Sequence, residues 1–119
     1  MKVKSYKELD VWKNGLSIVD LVYELTSQFP STERVGLAGQ MQRAAVSIPS
    51  NVAEGFVRQH TGEYRQFCHV ALGDCAELET QAIVASHRAY ISAGELTRLA
   101  ELLDHESRML MNLIKTLRS

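Results

Sequence analysis

Apolar residues recur along most of the chain at spacings of three and four, the period of an amphipathic helix rather than the alternation of a strand. Near the C-terminus Leu96, Leu99, Leu103, Leu110, Leu113 and Leu117 form one seam, with Leu102, Met109 and Ile114 beside it. Glu106 falls in that seam where an apolar residue is expected. Toward the N-terminus the pattern doubles. One seam runs Leu9, Trp12, Leu16, Val19, Tyr23, and a second runs Val11, Ile18, Val22, Leu25 and on to Phe29. At 100° per residue the two lie about 120° apart, and Asp10, Lys13, Ser17, Asp20 and Glu24 fill the remaining arc. One seam suffices to dock a helix into a bundle. Two imply either deep burial between neighbours or a second interface with another subunit, and Val11, Ile18, Val22 and Leu25 are assigned to that oligomer interface. A third seam, Tyr64, Cys68, Ala71, Cys75, Leu78, Ala82, Ala85, Ala89, consists mostly of small residues that permit close helix approach.

Proline and glycine punctuate the pattern at Pro30, Gly55, Gly62 and Gly94, cutting it into four helical segments, roughly 6–28, 33–56, 62–89 and 93–118. Ser5 with Glu8, and Ser92 with Glu95, have the S-x-x-E spacing of a capping box, which satisfies free backbone donors at a helix start. Thr61 is a candidate cap for the third segment, with Glu63 in its first turn, while the second start is vaguer, near Ser31 or Thr32. Pro49 lies inside the second segment, where it deletes one hydrogen bond and crowds the carbonyl of Ala45. A kink is expected, with a break into two shorter helices as the competing outcome. Short connections make the predicted fold an all-α, antiparallel up-down-up-down four-helix bundle, one domain over 1–119 with a short N-terminal tail, 1–5.

Composition narrows the class further. An apolar content of 45% suits a globular core, and no run approaches the ~20 apolar residues of a membrane span. The basic N-terminus is followed by no apolar stretch of the signal-peptide kind, so a cytoplasmic protein is expected. Cys68 and Cys75 are separated on a helix by about 10 Å of rise, too far for a disulfide, and are read as small core residues.

Candidate chemistry is sparse. None of His60, His69, His87 and His105 follows a glutamate by three residues, the pairing of di-iron bundles, and Glu101 with His105 is a lone i, i+4 pair. Two cysteines seven apart begin no zinc set. Adjacent Cys68 and His69 point about 100° apart on a helix, and no glycine-rich phosphate loop is present. The reading is therefore of a protein that is not an enzyme, with no metal and no cofactor. Arg43, Glu54, Glu77, Glu79 and Glu106 interrupt the apolar pattern, either as surface charges or as members of buried pairs. In an antiparallel hairpin turning near residue 60, Arg43 comes level with 77–79, which predicts a structural ion pair of Arg43 with Glu77 or Glu79. The net charge of −1 is unevenly placed: Asp74 to Glu106 is acidic and both chain ends are basic. Up-down topology gathers Lys2, Lys4, Lys7, Arg58, His60, Arg65, Lys115 and Arg118 at one end, a candidate nucleic-acid-binding surface. The competing reading makes Lys115 and Arg118 complements of a helix dipole and the N-terminal lysines a solubilising tail.

Residues 43–56, Arg-Ala-Ala-Val-Ser-Ile-Pro-Ser-Asn-Val-Ala-Glu-Gly-Phe, together with Glu-Leu-Asp-Val-Trp-Lys at 8–13, Phe29-Pro30 and Leu-Gly-Asp-Cys-Ala-Glu-Leu-Glu-Thr-Gln at 72–81, carry a resemblance over nearly the whole chain. It resembles the bacterial four-helix-bundle proteins found in intervening sequences of 23S ribosomal RNA genes, some of which bear the label of ribosomal proteins. That resemblance implies a ring-shaped homopentamer with no established enzymatic activity. More distantly, the chain is similar to accessory proteins of diversity-generating retroelements, which partner a reverse transcriptase and nucleic acid. The stretch Val57-Arg58-Gln59-His60-Thr61-Gly62 departs from the Lys- and Arg-rich segment of the more basic relatives. Two functions compete on this evidence: a self-assembling binding or scaffold protein, and an accessory that binds RNA or DNA through a basic end.

Overall fold

Ser92 opens the last helix as its spacing predicts: its hydroxyl accepts from the Glu95 N–H at 3.1 Å, and the Glu95 carboxylate accepts from the Ser92 N–H at 2.8 Å. The other starts are built differently. Ser5 caps only a 3-10 turn over Tyr6–Glu8, and the first long helix begins after Leu9, which stands extended at its N-cap. Ser31–Glu33 forms a separate 3-10 turn, and Glu33 accepts from the Leu37 N–H at 3.1 Å, so a carboxylate caps the second helix from four residues upstream. Thr61 is the first residue of the third helix rather than its cap. The computed structural model describes residues 2–117, with helices α1 (Asp10–Thr26), α2 (Leu37–Phe56), α3 (Thr61–His87) and α4 (Ala93–Thr116) and no strand among those residues.

Each helix packs on its chain neighbours and α1 closes against α4, while α1 and α3 face each other across the core. The cross-contacts give the directions. On α1, Gly15 meets Pro49 and Thr26 meets Gln42 of α2; on α2, Asn51 meets Asp74 and Gly55 meets Phe67 of α3. Asn14 bonds Glu106 of α4, whereas Glu24 approaches Arg98 one end further along. Residue numbers fall along one helix as they rise along its neighbour, so adjacent helices are antiparallel. The result is a rod measuring 45 × 24 × 20 Å.

α2 runs through Pro49 without interruption, so the alternative of two shorter helices does not hold. Pro49 is buried, and its ring lies against Gly15: a Cβ on Gly15 would stand 3.2 Å from the Pro49 Cβ. A notch on one helix thus receives the one residue that cannot donate to its own ladder. Asn51, two residues on, donates to the Ser47 carbonyl and hydroxyl and to Asp74, each at 2.9 Å. Gly55 performs the same service between α2 and α3, because a Cβ there would lie 2.8 Å from Phe67 Cβ and 2.9 Å from Tyr64 Cδ1. Opposite it α3 presents Cys68, Ala71, Cys75, Ala82 and Ala85, all buried, so that small side chains let these two helices approach closely.

The α1 seam assigned to an oligomer interface lies inside the bundle. Val11, Ile18, Val22 and Leu25 are at most 6% exposed and belong to the chain's own core, so they are not an oligomer interface. Gly15 completes their seam at a spacing of four and three, and Pro49 fills the gap where it has no side chain. The seam was undercounted for want of that side chain. Leu16 and Tyr23, from the other seam, face outward, with Leu9, Trp12 and Val19 partly buried between.

Candidate functional site

One end of the rod collects aromatic and basic side chains. Tyr6 packs edge-on against Trp12 (5.4 Å between centroids) and Phe56 (6.4 Å), and Phe56 packs edge-on against Tyr64 (6.0 Å). This cluster ties the N-terminal turn to the α2–α3 junction. It is spread over four stretches of sequence, and only the pairing of α1 with α2 and α2 with α3 assembles it. Burial pushes the Tyr64 hydroxyl up to about 12.

The candidate polyanion-binding residues stand around this cluster. Lys2, Lys4, Lys7, His60 and Lys115 are exposed. Arg58 lies 3.7 Å from Glu54 and 3.6 Å from Glu63, with its guanidinium 4.9 Å above the Phe67 ring. Arg65 is half-buried and donates to the Leu117 carbonyl, tying the start of α3 to the end of α4. Arg118 lies outside the described residues. Two of the arginines are therefore engaged within the chain, and Arg58 sits between two carboxylates.

The expected ion pair is not formed. Arg43, Glu77 and Glu79 are all exposed, and no salt bridge among the described residues includes any of them. Asn51–Asp74 and Gly55–Phe67 fix a register that brings Arg43 near the level anticipated. The error is one of azimuth. Arg43 lines a groove on the α1 side of α2 with Tyr23, Arg34, Val35, Gly39, Gln42, Val46 and Ser47, whereas Glu77 lies on the outer side of α3 and accepts from Gln81.

The buried charge is Glu106 instead. It is 0% exposed, in the middle of α4, and pairs with no cation among the described residues. Asn14 donates to its Oε1 at 2.9 Å and to the Leu102 carbonyl at 3.2 Å; Oε2 has no hydrogen-bond partner among the described residues. Burial pushes the carboxyl up to about 7, against the smaller opposing effect of the Asn14 hydrogen bond. Cys75, across from it on α3, is pushed up to about 12 by burial and secondarily by the Glu106 charge, and burial raises Cys68 to about 11. Both thiols are free, buried and protonated at neutral pH, the opposite of a nucleophile's setting. Among the described residues no three His, Cys, Asp or Glu side chains gather to hold a metal ion, and no helix is long and apolar enough to cross a membrane.

Outside the core, exposed large apolar side chains include Val3, Val57, Ile83 and Met111 singly, and sets on two separate faces. The α1/α2 face shows Leu16, Tyr23, Val46 and, in the α1–α2 connection, Val35 at 87% exposure; the outer side of α3 shows Val70 and Val84. The signal for the first face was present in the sequence as the doubled seam of α1.

The architecture has a counterpart among solved structures. A protein of unknown function from the S23 ribosomal protein family of Bacteroides thetaiotaomicron superposes with a TM-score of 0.82 at 18% identity, over 88% of this chain and 98% of that one. At that identity the likeness is one of fold. No curated protein matches the chain. The family model of the 23S rRNA-intervening sequence protein matches residues 7–112. With the four-helix architecture matched by the S23 structure and the family pattern running through all four helices, the chain belongs to the 23S rRNA-intervening sequence protein family.

Proposed function

We propose that this chain is a non-enzymatic bundle that associates with copies of itself and serves as a binding or scaffold protein. The observation that carries the proposal is the α1/α2 face, where Leu16, Tyr23, Val35 and Val46 stay exposed on a chain that already has a complete core. Scattered surface leucines are ordinary; a contiguous face along one helix pair and its connecting segment is the mark of an interaction surface. Five copies is the number expected from the family resemblance. Light scattering on the wild type at micromolar concentration tests the association. Leu16→Glu with Val46→Glu should give monomers of unchanged helicity, and a wild type that is monomeric throughout would defeat the reading.

Nucleic-acid binding at the basic end is the less favoured function, because Arg58 and Arg65 are engaged internally. Its support is the exposed Lys2, Lys4 and Lys7 beside the aromatic cluster. RNA affinity that falls steeply with salt and is lost on reversing those lysines would favour it over a purely protein-binding role.

A further inference from the structure

The two exposed apolar faces differ in charge as well as in place. In the α1/α2 groove, Tyr23, Val35 and Val46 are accompanied by Arg34 and Arg43, and the groove is lined by no acidic residue. Arg43 makes no ion pair among the described residues. The outer side of α3 carries Val70, Gly73, Glu77, Thr80 and Val84, all exposed, at alternating spacings of three and four. That spacing puts them on one face of α3, the side turned away from its own core. Glu77 is the charge at its centre.

Gly73 adds an independent point. A Cβ built there would meet nothing within 4 Å, so no contact within the chain calls for glycine. A glycine in a helix interior costs roughly 1 kcal/mol against alanine. Its absence of bulk leaves the α3 backbone open to close approach by a second copy.

Resting on the self-association proposed above, we infer that the α1/α2 face of one copy docks on the outer face of α3 of the next, with Arg43 of the first copy opposite Glu77 of the second. The occupant of each face is thus a second copy of this chain. One face is basic and apolar, the other acidic and apolar, and neither is complementary to itself. Head-to-tail contact of this kind adds copies in sequence and closes into a ring when the rotation per copy allows it.

Charge reversal tests the pairing by sedimentation velocity, with far-UV circular dichroism as the check on folding. Arg43→Glu alone and Glu77→Arg alone place like charges together and should each weaken association by roughly 100-fold, leaving helicity intact. The double variant Arg43→Glu/Glu77→Arg restores opposite charges at every contact and should recover assemblies of more than two copies. If the wild type and Glu77→Arg assemble equally while Arg43→Glu does not, the head-to-tail inference falls and self-association stands. A double variant no better than either single one, or a wild-type species of two copies, overturns the inference likewise. A monomeric wild type overturns both.

Discussion

Glu106 offers the sharpest test of the core described above, through the substitution Glu106→Gln. The carboxyl is 0% exposed, and among the described residues its one hydrogen-bond donor is Asn14. The titratable group facing it is Cys75 of α3, itself held protonated; α1 contributes Asn14 and Gly15, and α2 the ring of Pro49 against Gly15. No positive charge among the described residues offsets ionisation. The folded-state value is therefore raised, to about 7 from an ordinary 4.5, with desolvation as the principal cause. A raised carboxyl means that the folded chain holds a proton which the unfolded chain has released between those two values. The stabilisation is fully present below about pH 4.5, declines as pH rises, and is gone above about pH 7. At about 1.4 kcal/mol per pH unit, the gap amounts to about 3 kcal/mol. Gln keeps the shape and the acceptor for Asn14 and has no charge to lose. Urea unfolding at fixed protein concentration, from about pH 4.5 to about pH 8, should show the variant gaining about 3 kcal/mol on the wild type across that interval. Exposed carboxylates titrate in both proteins and drop out of the difference. Parallel pH profiles would refute the reasoning, and would mean that water or a cation reaches Glu106 in solution.

Other substitutions probe separate parts of the fold by the same unfolding assay. Ala89 has a φ of 61° at the end of α3, where the Tyr90 N–H bonds the Ala85 carbonyl and the Ala89 N–H bonds that of Ser86, so Ala89→Gly should stabilise by about 0.5–1 kcal/mol. Gly55→Ala should destabilise by about 1–3 kcal/mol, since the added methyl meets Phe67 and Tyr64 at under 3 Å. Ser92→Ala, which removes one half of the α4 capping box, should lose about 1 kcal/mol. Arg43→Ala should change folding stability by no more than about 0.5 kcal/mol, because the side chain is exposed and forms no salt bridge among the described residues; a loss of several kcal/mol would restore the buried ion pair.

Much of this molecule is written locally. The α4 leucine seam and the Ser92–Glu95 box lie within a turn or two of each other, and helix phase alone relates them. The small residues of α3 announce a close approach, and α2 makes it. The α1 seams show where such reasoning ends. Periodicity gives the angle between two apolar stripes, and the stripe with Leu16 and Tyr23 is as regular as the one with Val11, Ile18, Val22 and Leu25. What decides between them is Pro49, some thirty residues away, seated against Gly15.

The same division runs through the candidate surfaces. Hairpin length placed Arg43 near the level of Glu77, but level along an axis says nothing about rotation around it, and the groove beside Tyr23 takes Arg43 to the other side of α2. The aromatic cluster of Tyr6, Trp12, Phe56 and Tyr64 has no spacing that marks it, because its four members lie in the N-terminal turn, α1, α2 and α3 and meet only in the folded bundle. Glu106 stood out in the sequence as a charge in an apolar seam; its partner Asn14 lies 92 positions earlier. The sequence by itself determined four helices, their order, several of their ends and the presence of more apolar surface than one core needs, since each follows from interactions within a few residues. Only the tertiary structure decided which stripe is core, which charge is buried and which faces remain open, because those depend on how rigid helices rotate against one another, and that is settled by steric fit between residues far apart in the chain.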